Sequence, residues 1–265
     1  MSAIAKFLAT GLEIRLNQRV KALAPTTSNS WHLILEPPNT DSNVEMPQKL
    51  IAKAVVVAIP APQALMLLDL AESGLPAVFL DNLRSVEFDP CLSVIAGYPA
   101  FGLPVPDWKA ITFIDDPDLG WIGLDSSKRM VAEQSPVFVV QSSAEFARRF
   151  LEVQDLQSSG QQLLSRAAQI CLLPWLDTPE WIQVHRWRYA FPSRPWHEAY
   201  LFTSIPLPLV CCGDWCGGAI QTAQRNSREL GCNQVESAML SGLAAAKQLN
   251  SQLQQRVLPE ANFLD

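Results

Sequence analysis

Apolar and polar positions along this chain repeat with two periods. Residues 2–9 carry apolar side chains at helical spacing, and Gly11 follows the last turn as a helix stop does. Leu12-Glu-Ile-Arg-Leu16 then alternates apolar with charged residues, the period of a half-buried strand. Val20–Leu23 and Trp31–Glu36 repeat that pattern across a turn of Thr, Ser and Asn, so the opening stretch predicts a small antiparallel meander. Ala54–Pro60 differs in being continuous and β-branched, as in a parallel strand buried on both faces. Proline ends it, and Pro62–Leu70 predicts a helix whose first turn tolerates its own proline.

From about residue 75 the strands lengthen and become more polar. Arg84–Tyr98, Ala110–Ile114, Trp121–Leu124 and Val137–Gln141 predict a second, mainly antiparallel sheet. Ser143–Val153 and Gln161–Leu173 have helical spacing, and Pro174 closes the second of them. Trp181–Phe191 returns to strand period, with Arg186 and Arg188 on one face and His185, Trp187 and Tyr189 on the other. Two readings of that strand stay open: core aromatics with paired or solvated arginines, or an aromatic face that confines a planar substrate.

The chain is organised around a strand, turn and helix between residues 209 and 246. Leu209–Cys212 is an apolar run that ends in Gly213-Asp214, and Val235–Ala246 is a helix with Ala, Ser and Gly along one side. A glycine at a strand end lets backbone approach a ligand, and the carboxylate beyond it accepts hydrogen bonds from hydroxyl groups. The start of the helix offers unpaired N–H groups to negative charge. A surface turn with no ligand gives the same local pattern. After residue 250 the sequence reads as a fraying tail.

Composition narrows the class of partner. Only 17% of residues are charged and 48% are hydrophobic, which points to a globular chain with a sizeable core. A net charge of −6 argues against nucleic acid and for a small-molecule substrate. No apolar run is long enough to span a bilayer, because Pro60, Pro62 and Gln63 interrupt the longest. Six cysteines without a secretory leader read as cytosolic thiols. Cys212 and Cys216 lack a second spaced Cys/His pair, so no metal is expected. Asp115-Asp116 reads as a turn, since no second carboxylate anchors an acid/base pair.

These motifs carry a resemblance. Gly213-Asp214 at a strand end, then Val235-Glu236-x-Ala238-x-x-Ser241-Gly242-x-x-Ala245-Ala246, resembles the C-terminal flavin-binding signature of the flavin-containing amine oxidase superfamily. Gly-Asp-Trp-Cys at 213–216 and His185–Ala190 are most similar to renalase-type members. Gly11–Val20 resembles the segment whose valine meets the adenine through its backbone, and Ala54–Pro60 resembles a later Rossmann strand.

The resemblance implies an α/β plus α+β fold: a partial Rossmann-like FAD-binding domain with an inserted antiparallel-sheet substrate domain. In residue terms, 1–74 and 191–250 would form the FAD-binding domain, 75–190 the substrate domain and 251–265 a tail. FAD would lie extended with its flavin between the two domains. Val20, Pro60, Gly213, Asp214, Trp215, Val235 and Glu236 would contact it, although Glu236 is expected in a first helical turn without any ligand. His185, Trp187 and Tyr189 would line the substrate cavity. A reduced nicotinamide-like or amine substrate would give hydride to the flavin, and O2 would reoxidise it to yield hydrogen peroxide. No protein nucleophile or acid is required.

Two departures accompany the resemblance. No Gly-x-Gly-x-x-Gly occurs in the sequence, and the first residues already read as helix, so the chain is expected to be N-terminally truncated relative to the family. Residues 219–232 also intervene between Gly217-Gly218 and the flavin-facing helix, as an insertion. A catalytically impaired oxidoreductase is therefore expected. The alternatives are a non-catalytic remnant or interaction module, or half of a split enzyme whose nucleotide-binding segment comes from a separate chain.

Overall fold

In a computed structural model the chain is described over residues 2–36, 49–100, 102–128, 135–217 and 234–257. These residues fall into two units, one of 2–85, 196–217 and 234–257, the other of 86–195. The expected insertion at 219–232 lies outside the described residues.

The first unit opens with α1 (Ser2–Leu8), and Gly11 follows it at a φ of 82°. The meander is real but differs in membership. Its strands are β1 (Val20–Pro25), β2 (Trp31–Leu35) and β3 (Lys49–Ala52), all antiparallel. Leu12–Leu16 is not one of them; Leu12, Ile14 and Leu16 are exposed, and that segment has no strand partner among the described residues. Alternation is a local signal, whereas a strand needs a neighbour to take its backbone hydrogen bonds. Trp31 is fully buried and donates its indole N–H to the Pro208 carbonyl at 3.2 Å, which fastens the meander to the segment entering the strand at Leu209.

A second sheet carries β4 (Val55–Val57), β10 (Leu201–Thr203) and β11 (Leu209–Cys211) in the order β10-β11-β4. β11 pairs with β4 in parallel and with β10 antiparallel. The expectation that Ala54–Pro60 is buried on both faces is corrected: among the described residues β4 lies at the edge of its sheet, and Val56 is 49% exposed beside buried Val55 and Val57. α2 (Ala61–Leu68) starts directly after Pro60, with Pro62 in its first turn, and packs on α3 (Ala77–Arg84). Arg84 therefore ends a helix and does not begin a strand. The units change after residues 85 and 195, and α3 goes with the first. The last helix, α6, runs from Gln234 to Val257, so the expected tail is helical for seven residues past Asn250. Gln, Leu and Arg in that stretch are good helix formers. Buried Ala245 lets α6 sit close over Val210 and Cys212 of the sheet.

The second unit is a five-stranded antiparallel sheet in the order β6-β7-β8-β5-β9. Its strands are β5 (Glu87–Gly97), β6 (Ala110–Thr112), β7 (Leu119–Leu124), β8 (Val137–Ser142) and β9 (Trp181–Arg194). α4 (Ala144–Phe150) and α5 (Gln157–Ile170) cover one face, burying Leu92, Val94, Ala96, Val140, Leu163 and Leu164. Ser143 caps α4 by accepting the Phe146 N–H. Gly160 sets how closely α5 approaches β9, since a Cβ there would overlap Val184.

Candidate functional site

β4 and β11 end side by side, Cys211 opposite Val57, and because they are parallel their carboxyl ends open on one edge. Open sheets bind ligands beyond the carboxyl ends of their strands. Here residues 58–60 leave β4 and residues 213–215 follow β11. Together with Gln234, Val235 and Ala238 from the start of α6 they line a recess of about 320 Å³.

Local chemistry shapes that recess. Gly213 adopts a φ of 157°, and an added Cβ would lie 2.8 Å from the Trp215 indole. Trp215, only 1% exposed, donates its indole N–H to the Ile59 carbonyl at 3.1 Å, while its own carbonyl accepts the Trp196 N–H at 2.8 Å. The Gly213 N–H donates to the hydroxyl of Ser241 on α6 at 3.1 Å. Burial raises the Asp214 carboxyl above its ordinary range, and hydrogen bonds from its own N–H and that of Trp215 offset the rise only in part. A half-desolvated carboxylate anchored by backbone is a strong acceptor for ligand hydroxyls. α6 begins at the same recess with the positive end of its dipole.

The thiols beside the corner do different work. Burial lifts Cys211 well above the ordinary thiol range, and it pushes Cys216 up to about 12. They stay protonated at neutral pH and pack as small apolar groups. Among the described residues no group of three His, Cys, Asp or Glu side chains could hold a metal.

Pro60, Gly213, Asp214, Trp215 and Val235 thus meet at one recess. Glu236 stands exposed in the same helical turn as Val235 but does not line it. Val20 starts β1 opposite Leu35 and does not line it either. Ile59 was missed, while Ala238, which lines the recess, and Ser241, which does not, stood in the signature with no contact assigned to either. The signal for the last two was the spacing 234, 238, 241, 245, which puts them on one helix face.

His185 and Trp187 project from the sheet face opposite the helices in the second unit. Pairing aligns Trp121, Gln141, Ser93 and His185 in one row across β7, β8, β5 and β9. Trp181 lies over Gly97 and Trp121 over Gly123, each glycine leaving room for an indole. Trp181 is 44% and Trp187 55% exposed, so that face carries aromatic surface interleaved with amides and an imidazole. Tyr189 leaves the row: between Trp187 and Phe191 the pairing with β5 slips at a bulge, and its ring meets Phe88 edge to face. Arg188 pairs with Glu152 and Arg186 donates to the Val153 carbonyl, so both arginines are committed to the segment after α4. A larger recess of about 470 Å³ lies over α4 and α5, but its arginines, Arg149 and Arg166, are already paired with Asp118 and Asp116.

Residues 1–231 match the family of flavin containing amine oxidoreductases. No curated protein matches the chain. Among solved structures it is similar to putrescine oxidase bound to putrescine, with a TM-score of 0.58 and 14% identity over 94% of this chain and 52% of that one. An engineered double mutant of putrescine oxidase gives a TM-score of 0.52 and 15% identity over 84% and 50%. A protein from Exiguobacterium sp. 255-15 gives 0.49 and 16% over 72% and 39%. At such identities the likeness to the two putrescine oxidase structures is one of fold, and the chain spans about half of their length. The sequence match covers most of the chain, and no described helix is long and apolar enough to cross a membrane. The chain belongs to the flavin-containing amine oxidoreductase family.

Proposed function

We propose that this chain carries the flavin-facing corner and the substrate sheet of an FAD-dependent, renalase-type oxidase acting on a reduced nicotinamide-like or amine substrate in the cytoplasm. The observation that carries the reading is the meeting of Gly213, Asp214, Pro60 and the start of α6 at one recess. Its residues fit the polyol and ring side of FAD: apolar walls from Ile59, Pro60 and Trp215, a backbone-anchored carboxylate, and a positive helix end. When bound, the flavin supplies a two-electron acceptor that takes hydride from a substrate C–H bond and passes both electrons to O2, giving hydrogen peroxide.

The chain's own residues do the rest. Asp214 accepts hydrogen bonds from ribityl hydroxyls. The start of α6 favours negative charge gained on reduction by roughly 0.3–2 kcal/mol. Trp215 and Ile59 keep water from the ring. On the open sheet face, Trp181 and Trp187 offer stacking surface and His185 a hydrogen bond to a planar substrate ring.

The test is anaerobic mixing of the FAD-loaded chain with reduced nicotinamide mononucleotide or with putrescine. Bleaching of the visible flavin band by either, then peroxide on admitting oxygen, is the expected outcome. Bound flavin that neither substrate reduces would contradict the proposed reaction.

A further inference from the structure

We infer that Ser241 is a positioning residue that sets the Gly213-Asp214 corner against the flavin-facing end of α6. The inference rests on the proposal that the recess holds flavin. Ser241 is 2% exposed, and its buried hydroxyl needs partners to be tolerated. It accepts the Gly213 N–H at 3.1 Å, at the point where the chain leaves β11, and the turn that follows is closed by the Cys216 N–H, which donates to the Gly213 carbonyl at 3.2 Å. One hydroxyl thus holds the first residue of the self-closed turn 213–216, whose middle residues are Asp214 and Trp215.

The geometry explains why this grip matters to a ligand. Gln234, Ala238, Ser241 and Ala245 share one face of α6. Gln234 and Ala238 line the recess, and Ala245 sits in the helix–sheet contact. Ser241 lies between them and lines nothing. Its hydrogen bond to Gly213 is therefore what fixes the carboxylate of Asp214 relative to the helix start, and a ligand that touches both requires that spacing. On the opposite side Trp215 holds the corner to Ile59, so only the α6 side depends on Ser241.

The test compares Ser241→Ala and Ser241→Thr with the natural chain by amide hydrogen exchange and by FAD titration. In Ser241→Ala the Gly213 amide is expected to exchange roughly 3- to 10-fold faster, as suits loss of one hydrogen bond, with α5 amides unchanged and FAD bound more weakly. Ser241→Thr keeps the hydroxyl and is expected to retain both the protection and the affinity. Unchanged exchange at Gly213 in the alanine variant, or equal FAD affinity in the alanine variant and the natural chain, overturns the inference. So does a threonine variant that exchanges as fast as the alanine one. If the natural chain binds no FAD, the proposal for the recess fails, and the exchange comparison alone decides the role of Ser241.

Discussion

The indole N–H of Trp215 donates to the carbonyl of Ile59, 156 positions earlier, at 3.1 Å. That bond joins the two strand ends that open onto the recess and makes the indole one of its walls. Trp215→Phe keeps an aromatic ring but leaves the Ile59 carbonyl without its donor. The expected loss is about 1–2 kcal/mol of folding stability, read as a lower urea midpoint with an unchanged slope. A midpoint equal to that of the natural chain would show the bond to be dispensable.

The strand-end corner was legible in sequence because Gly213 and Asp214 are local turn chemistry and the spacing of small residues on α6 is local helix chemistry. What was not legible depends on distant partners. Leu12–Leu16 has perfect strand alternation, yet β3 (Lys49–Ala52) completes the meander. Ala54–Pro60 looked doubly buried because nothing in its composition says that β4 lies at an edge among the described residues. The row His185, Trp187, Tyr189 followed strict alternation, and only the bulge between β9 and β5 takes Tyr189 out of it. The bonds from Gly213 to Ser241 and from Trp215 to Ile59 leave no trace in any short window of sequence.

Two glycines of the second unit separate rigid from yielding neighbours. At Gly160 an added Cβ overlaps Val184, a β-branched side chain held within β9 against α5. At Gly97 it overlaps Trp181, whose ring is partly exposed and free to swing outward. Gly160→Ala is expected to cost about 1–3 kcal/mol and Gly97→Ala clearly less. Urea unfolding of the two variants checks the order, and the reverse order would contradict this view of the helix–sheet packing.

The raised carboxyl of Asp214 gives folding a defined pH dependence. In the unfolded chain it ionises near its ordinary value of 3.8, whereas burial in the folded chain keeps it protonated to higher pH. Between those two values the folded state holds the extra proton, so this group's contribution to stability falls as pH rises through the folded value and then levels off. Asp214→Asn removes that slope. Unfolding midpoints measured from about pH 4 to about pH 8 are expected to show the natural chain losing ground to the variant as pH rises. Parallel curves would contradict the burial of this carboxylate.

The corner of Gly213 and Asp214, with the start of α6, is proposed to hold the flavin, and the proposed reaction depends on it. Titrating FAD into the natural chain and into Asp214→Ala, while following the visible flavin spectrum, puts that role to the test. The natural chain is expected to perturb the spectrum, and Asp214→Ala to bind roughly 10- to 100-fold more weakly. Identical titrations of the two proteins, or no spectral change with either, would contradict it.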